Sequence, residues 1–342
     1  MTNFFKKALV MADIHWGKKN NDRQHNVDCF EFVEWSIQEG KKFGAETYIC
    51  LGDWHDNRKS LNISTMNYSL SSMEMISQSF EKFVLILGNH DLPYKEKREI
   101  NSVEFGRNIN NIFLVKDIFT EGNCAFVPWL VGDEYQELPK IKAKYIFGHF
   151  EFPHFLMNAM VEMPDTGKVN IDEFQPADYI FSGHFHKRQF KKNKNGTEVI
   201  YIGNAFPHNF SDAWDEERGI MLLEWGKEPV FKTWQHQPTY KTLKLSQLLQ
   251  NPEKYLKAKS SIKVNLDAKL TFEEQSFIKD CFLNRFDLRD FVVMQTRSED
   301  EDSELNMDLE FQSIDQIVIE GLGMIESKSL DPNVLIELYR SL

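Results

Sequence analysis

The chain has 342 residues, enough for one large domain with one or two smaller ones. With 42% apolar residues, a folded protein is expected, and no apolar run reaches the ~20 residues of a membrane-spanning helix. The amino end passes directly into a predicted strand, which leaves no room for a signal peptide. The four cysteines are scattered, which predicts reduced thiols and a cytoplasmic location. A net charge of -12 argues against a protein that coats nucleic acid through its overall field.

The first part of the chain alternates apolar strand patterns with helical ones. Strands are predicted at residues 8–12, 47–51 and 83–87, and helices at 24–43 and 63–80. This order is typical of βαβ units with a parallel sheet. Seven short strands without long helices follow, and we expect the last three to close a second sheet stacked on the first: 113–115, 125–127, 144–147, 178–181, 199–202, 220–223 and 230–233.

The candidate site residues described below all precede about residue 235. We therefore predict that the first domain ends there. Residues 236–297 contain a strand, a helix opened by the capping box Thr271 to Glu274, and a second strand, so a small α+β unit is expected. Residues 298–310 form an acidic linker. Residues 311–342 form a helical tail that docks either on this chain or on a partner.

Polar side chains follow the apolar strands of residues 1–235 at the point where each strand ends. Ligands of open α/β sheets bind at this edge. An isolated Asp-x-His pair is weak evidence for a metal site, because a buried histidine is more often a satisfied hydrogen-bonding group. Five of the ten histidines, however, belong to this set of strand-end residues. On an extended segment, Asp13 and His15 would point the same way. The full set is Asp13, His15, Asp53, Asn89, His90, His149, His184 and His186.

Mixed carboxylate, amide and imidazole donors suit manganese, iron or zinc better than calcium or magnesium. The donors are too many for one ion, so two ions about 3.5 to 4 Å apart, bridged by one carboxylate, fit better. Such a pair binds both oxygens of a phosphate ester and lowers the pKa of a water that attacks the phosphorus. His90 is the best candidate to assist the leaving group, because its neighbour Asn89 would be committed to a metal.

Five motifs resemble, in order and spacing, the calcineurin-like metallophosphoesterases: Asp13-x-His15, Gly52-Asp53-x-x-Asp56, Gly88-Asn89-His90-Asp91, Gly148-His149 and Gly183-His184-x-His186. Within that superfamily the chain is similar to the SbcD family, the nuclease subunit of a double-strand-break repair complex, over about residues 8–235. The resemblance implies an α/β fold: a four-layer αββα sandwich with a small α+β capping domain and a C-terminal helical tail.

The same resemblance implies the roles of the site residues. One metal ion would be held by Asp13, His15, Asp53 and His186, and the other by Asp53, Asn89, His149 and His184. Asp53 would bridge the two ions and His90 would be the catalytic residue that binds neither. Asp56 and Asp91 are expected to support these ligands from behind. The basic residues near the motif loops are candidates for binding DNA: Lys18, Lys19, Arg58, Lys59, Lys187 and Arg188.

As a family member, the protein would use two Mn²⁺ ions as a 3′-5′ exonuclease on double-stranded DNA and an endonuclease on single strands. It would act in DNA repair and recombination with an SMC-like ATPase of the SbcC type. The helical tail at residues 311–342 would bind this ATPase. A homodimer through the helix at 63–80 is also implied. The compact chain is similar to versions carried by large bacteriophages, which would place it in the host cytoplasm.

Two other functions remain open on the sequence. The first is another metallophosphoesterase, a phosphatase or a small-molecule phosphodiesterase, although protein phosphatases usually have Asp-Arg-Gly where this chain has Asp56-Asn57-Arg58. The second is a non-catalytic scaffold that tethers DNA ends. Scaffolds of this superfamily tend to lose histidine ligands, and every histidine of the pattern is present here.

Overall fold

A computed structural model describes residues 3–94, 96–157 and 161–295 of the chain. The predicted acidic linker (298–310) and helical tail (311–342) lie outside these residues. Within the described ranges, every helix is too short or too polar to cross a membrane.

Six strands form the first sheet, in the spatial order β12 (Val230–Thr233), β11 (Gly219–Glu224), β1 (Lys7–Met11), β2 (Thr47–Cys50), β3 (Lys82–Ile86) and β4 (Ile112–Val115). Strands β1 to β4 are parallel. Helix α1 (Arg23–Phe43) connects β1 to β2, and α2 (Ile63–Ser79) connects β2 to β3. The predicted βαβ order is therefore confirmed.

The predicted placement of β11 and β12 in the second sheet is wrong. Strand β11 pairs antiparallel with β1, with Ala8 opposite Leu223, and β12 extends the same edge. The apolar β1 would otherwise leave its other edge unpaired inside the protein, and β11 satisfies those backbone groups. A periodicity pattern does not reveal which edge a strand joins.

The second sheet also has six strands, in the order β5 (Phe119–Glu121), β6 (Cys124–Val127), β7 (Tyr145–His149), β8 (Tyr179–Gly183), β10 (Glu198–Tyr201) and β9 (Gln189–Lys192). The sequence did not predict β5 and β9. Both are short edge strands with mostly exposed residues, so they lack the apolar pattern of a buried strand.

The two sheets stack face to face. Along β1, Leu9 and Met11 pack toward the helices, whereas Ala8 and Val10 join the core between the sheets, as the two-residue period of a strand requires. Loops and short 3₁₀ helices cover the outer face of the second sheet, where Phe150 lies in a further core cluster. The predicted sandwich is confirmed, with helices on one outer face and this irregular layer on the other.

Residues 239–295 form a smaller α+β unit. Its sheet has the order β13 (Thr239–Lys244), β14 (Ser260–Leu266) and β15 (Asp290–Gln295). Three helices accompany it: α3 (Leu245–Gln250), α4 (Pro252–Tyr255) and α5 (Phe272–Phe286). The predicted capping box of Thr271 and Glu274 is present at the start of α5.

A buried ion pair attaches this small unit to α1. Both guanidinium nitrogens Nη1 and Nη2 of Arg289 bind the carboxylate of Asp28, whose side chain is only 1% exposed. Lys259 pairs with Glu31 one turn further along the same helix. The charge of Asp28 therefore depends on Arg289 for its compensation inside the protein.

Removing this arginine is expected to destabilise the protein. Arg289→Ala removes both guanidinium bonds and leaves the buried Asp28 carboxylate with only Lys259, 4.0 Å away, so the free energy of unfolding should fall by about 2 to 3 kcal/mol. Urea denaturation measures the change. Arg285→Ala is the matched control, since Arg285 is 71% exposed and pairs only with exposed Glu253, and its loss should stay within ~0.5 kcal/mol. Equal losses in the two variants would contradict the role of the buried pair.

Candidate metal centre

The loops that follow β1 and β2 run side by side. The amides of Asp13, His15 and Trp16 donate to the carbonyls of Gly52 (3.0 Å), Asp53 (3.1 Å) and Trp54 (2.8 Å) respectively. These bonds continue the parallel pairing of the two strands beyond their ends. As a result, side-chain ligand atoms of Asp13, His15 and Asp53 all lie within 4.8 Å of one another.

The backbone at these positions is left-handed. The φ angles are +53° at Asp13, +54° at His15, +52° at Asp53 and +90° at His184. The prediction that Asp13 and His15 stand on an extended segment is therefore wrong, although their side chains do converge. Non-glycine residues in this region cost of order 1 kcal/mol or more each, and they concentrate at functional sites where the surroundings hold them.

The Asp53 carboxylate lies at the centre of the site. Its Oδ2 atom is 3.7 Å from Nε2 of His15 and 3.5 Å from Nε2 of His149. Its Oδ1 atom accepts the amide of His90 at 2.8 Å. One carboxylate oxygen thus lies between an imidazole that follows the first sheet and one from the second, which is the position of a bridging ligand.

Asn89, His149 and His184 form the group on one side of Asp53. Oδ1 of Asn89 is 3.0 Å from Nε2 of His149 and 2.9 Å from Nδ1 of His184. The opposite nitrogen of His149 donates to the carbonyl of Leu51 at 2.7 Å, so the neutral ring would have its lone pair at Nε2, the nitrogen that faces the centre. Nε2 of His184 lies 3.3 Å from the carboxylate of Glu151. Glu151, which the sequence analysis missed, orients this imidazole.

His15 and His186 lie on the other side of Asp53, with their Nε2 atoms 3.1 Å apart. Nδ1 of His15 is 3.2 Å from Oδ1 of Asp56, and the same oxygen accepts from Lys18 at 2.8 Å. Asp56 therefore lies behind the ring of His15 as seen from Asp53. His25 also supports this ligand, with Nε2 2.9 Å from the His15 carbonyl oxygen.

Asp91 supports two loops rather than a histidine. Its carboxylate accepts the amides of His55 at 3.0 Å and Gly88 at 2.9 Å, and its side chain is fully buried. Both imidazole nitrogens of His55 meet serine hydroxyls, of Ser102 and Ser69. His55 is thus a structural residue.

His90 lies next to the cluster and is more exposed than its neighbours. Its Nδ1 donates to the carbonyl of Asp56 at 2.7 Å, and Nε2 takes no part in that hydrogen bond. Its ring centroid is 4.8 Å from that of His15. This arrangement suits a group that exchanges a proton at Nε2 beside the centre without binding a metal.

Several carboxylates are buried together at this site. Burial raises the pKa of Asp13 to about 7, and burial together with the charge of Asp53 raises that of Asp91 to about 7. Burial acts against the ionised forms of Asp53 and His149 too, but their mutual attraction lowers the pKa of Asp53 and raises that of His149. Bound divalent cations would stabilise these carboxylates, and the inward imidazole and amide donors fit such cations.

Residues 6–188, more than half of the chain, match the family described as calcineurin-like phosphoesterase. The chain belongs to this family. This family uses a centre of two metal ions, in agreement with the clusters of acidic and histidine ligands found here. A curated relative, exonuclease subunit 1 of Enterobacteria phage T4, is 25% identical over an alignment of 248 residues, and the alignment covers 68% of this chain and 70% of the relative.

Two solved structures are similar to this phosphoesterase. A dimetal phosphatase from Danio rerio matches 66% of this chain and 95% of its own, with 12% sequence identity and a TM-score of 0.42. The nuclease MPE of Pseudomonas putida matches 64% of this chain and 84% of its own, with 16% identity and a TM-score of 0.31.

The basic residues near the motif loops have diverse surroundings in this phosphoesterase. Lys18 pairs with Asp56, and Lys19 donates to the hydroxyl of Tyr240 at 2.7 Å. Arg188 donates to the carbonyl of Ile202 and packs over the ring of Phe231, so it is partly buried. Arg58 and Lys187 are half-buried, whereas Lys59 is exposed.

Two glycines allow the strand ends to approach one another. A Cβ atom on Gly88 would lie 2.2 Å from Oδ1 of Asp53, and one on Gly52 would lie 2.5 Å from Nδ1 of His149. Gly52 also has a φ of +102°. At both positions a larger residue would collide with a candidate ligand.

Gly88→Ala is therefore expected to displace Asp53. The free energy of unfolding should fall by about 1 to 3 kcal/mol, as for other overpacked interiors, and binding of divalent metal should weaken. Thermal denaturation with and without Mn²⁺ measures both effects. Gly132→Ala is the control. A Cβ atom there would meet no other atom, so this variant has only the strain of a φ of +55° and should bind metal like the wild type. Wild-type metal stabilisation in Gly88→Ala would contradict the steric argument.

Proposed function

We propose that this phosphoesterase is a two-metal DNA nuclease of the SbcD type. The observation that carries the proposal is the position of Asp53, one oxygen of which lies between His15 and His149. In this proposal Asp13, His15, Asp53 and His186 hold one ion. Asp53, Asn89, His149 and His184 hold the other.

Two divalent cations bound here, most simply Mn²⁺, would orient both oxygens of a phosphate ester and lower the pKa of a water molecule. The chain's own residues supply the rest. Asp56 and His25 hold His15, and Leu51 and Glu151 set the ring orientations of His149 and His184. His90, fixed through Nδ1, would direct Nε2 toward the departing alkoxide as the general acid.

DNA as the substrate is supported by the relative from phage T4, whose name describes an exonuclease subunit. By the family resemblance, the activity would be 3′-5′ exonucleolytic on duplex ends and endonucleolytic on single strands. Exposed Lys59 and half-buried Arg58 and Lys187 are candidates for contacts to phosphates, whereas Lys18, Lys19 and Arg188 would first have to leave their present partners.

The word subunit in the relative's name also supports a partner protein. We propose an SMC-like ATPase of the SbcC type. A homodimer through α2 is a further proposal: Ile63 is 83% and Met66 37% exposed, whereas Met73 and Ile76 belong to the core. The alternative function is a phosphatase or small-molecule phosphodiesterase, which would use the same metal centre.

Asp53→Ala is expected to abolish binding of both metal ions, because it removes the shared oxygen and leaves the two histidine groups without a bridge. Elemental analysis after dialysis against Mn²⁺ measures the stoichiometry. Asp178→Ala is the control, since this exposed aspartate pairs only with Lys144 at the surface. Two ions retained by Asp53→Ala would show that the carboxylate does not bridge.

The function is tested by cleavage of end-labelled linear duplex DNA with Mn²⁺, beside a chromogenic phosphodiester and a phosphomonoester. His90→Ala should retain both metals but lose DNA cleavage by about 100-fold or more, the usual contribution of a positioned acid or base. His154→Ala, which removes an exposed histidine paired with Glu162, should cleave like the wild type. Turnover of only a small ester would favour the alternative function, and full DNA cleavage by His90→Ala would refute the role of His90.

A further inference from the structure

His208 lies outside the motifs of the sequence, yet the structure places it beside the candidate ligands His15 and His186. Its side chain is completely buried, and neither ring nitrogen has a hydrogen-bond partner among the described residues. Burying an imidazole without partners is unfavourable, so such a group calls for a ligand. Three other buried histidines differ: His55 satisfies both nitrogens, and His25 and His149 each bond a backbone carbonyl.

The ring of His208 faces the two candidate ligands on one side of Asp53. Its centroid is 5.4 Å from that of His15 and 5.3 Å from that of His186, both in edge-to-face arrangement. One ligand atom from each of the three histidines lies within 4.8 Å of the other two. Three imidazole nitrogens this close together match the ligand shell of one cation.

The backbone holds His208 in this position. Its amide donates to the carboxylate of Asp212 at 2.9 Å, and Asp212 is itself 3.5 Å from the guanidinium of Arg218. The rings of Phe206 and His25 contact the imidazole from the remaining sides. These contacts hold the imidazole of His208 beside His15 and His186.

We propose that His208 is an additional ligand of the ion held by Asp13, His15 and His186. This inference rests on the proposed metal centre and adds a residue to it. With Asp53 shared, one site then has three imidazoles and two carboxylates, and the other, with Asp53, Asn89, His149 and His184, has two imidazoles and two oxygen donors. Imidazole favours Co²⁺, Ni²⁺ or Zn²⁺ over Mg²⁺ and Mn²⁺, so the two sites differ in metal preference and the His208 site fills first with Co²⁺.

Titration of the full chain with Co²⁺, followed by visible absorption and by calorimetry, tests the proposal without any assay of activity. Wild type should bind two ions in two resolved steps. His208→Phe, which keeps a ring but no nitrogen, should weaken the first step at least 10-fold and change its spectrum. The second step should remain. His154→Ala should titrate like the wild type.

His15→Ala separates this proposal from the metal centre on which it rests. If His15→Ala loses a Co²⁺ ion and His208→Phe titrates like the wild type, the centre stands and His208 is not a ligand. If both variants titrate like the wild type, the proposed centre is itself wrong.

A measurement on the wild type covers the case in which His208→Phe does not fold. Pulsed electron paramagnetic resonance of the Mn²⁺-loaded protein, with ¹⁵N-labelled histidine, counts the coordinated imidazoles. Five are expected from His15, His149, His184, His186 and His208. A count of four would overturn the proposal.

Discussion

The burial of the Asp53 carboxylate between the two sheets is the constraint on which the rest of the structure depends. The side chain is only 2% exposed, and its partners come from both sheets: His15 and His90 follow strands of the first, and His149 ends a strand of the second. An uncompensated charge in this position would be very unfavourable. The centre is therefore complete only when the two sheets are stacked, because the second sheet delivers the histidines that compensate the charge.

Buried strands stabilise the strained backbone that follows them at Asp13, His15, Asp53 and His184. Each follows an apolar strand that is buried on both faces, and the loops after β1 and β2 remain bonded to each other. Burial of those strands supplies far more favourable free energy than a few left-handed residues cost. Gly52 and Gly88 allow their loops to approach the side chains of His149 and Asp53, respectively, more closely than a Cβ atom would permit.

The sequence predicts the elements that bury apolar surface and the side chains at their ends. The strand that precedes Asn89, the helix at Arg23–Phe43 and the capping box at Thr271 all follow from local patterns. The left-handed backbone at His15 does not, since it depends on bonds to another loop. Glu151 and His208 were missed for a related reason: neither stands in a recurrent spacing, and only the folded chain brings Glu151 to His184 and His208 to His186.

The first turns of α1 connect the metal centre to the small α+β unit. His25 contacts the carbonyl of His15, and Asp28, one turn later on the same helix, binds Arg289 from the small unit. Asn26 between them accepts the amide of Gly17 at 2.9 Å and donates to Thr65 at 2.9 Å, which fixes the helix to the loop that carries His15. His25 and Asp28 are three residues apart and therefore lie one turn from each other on α1. The same turn of this helix thus contacts both the backbone of the candidate ligand His15 and the arginine of the small unit.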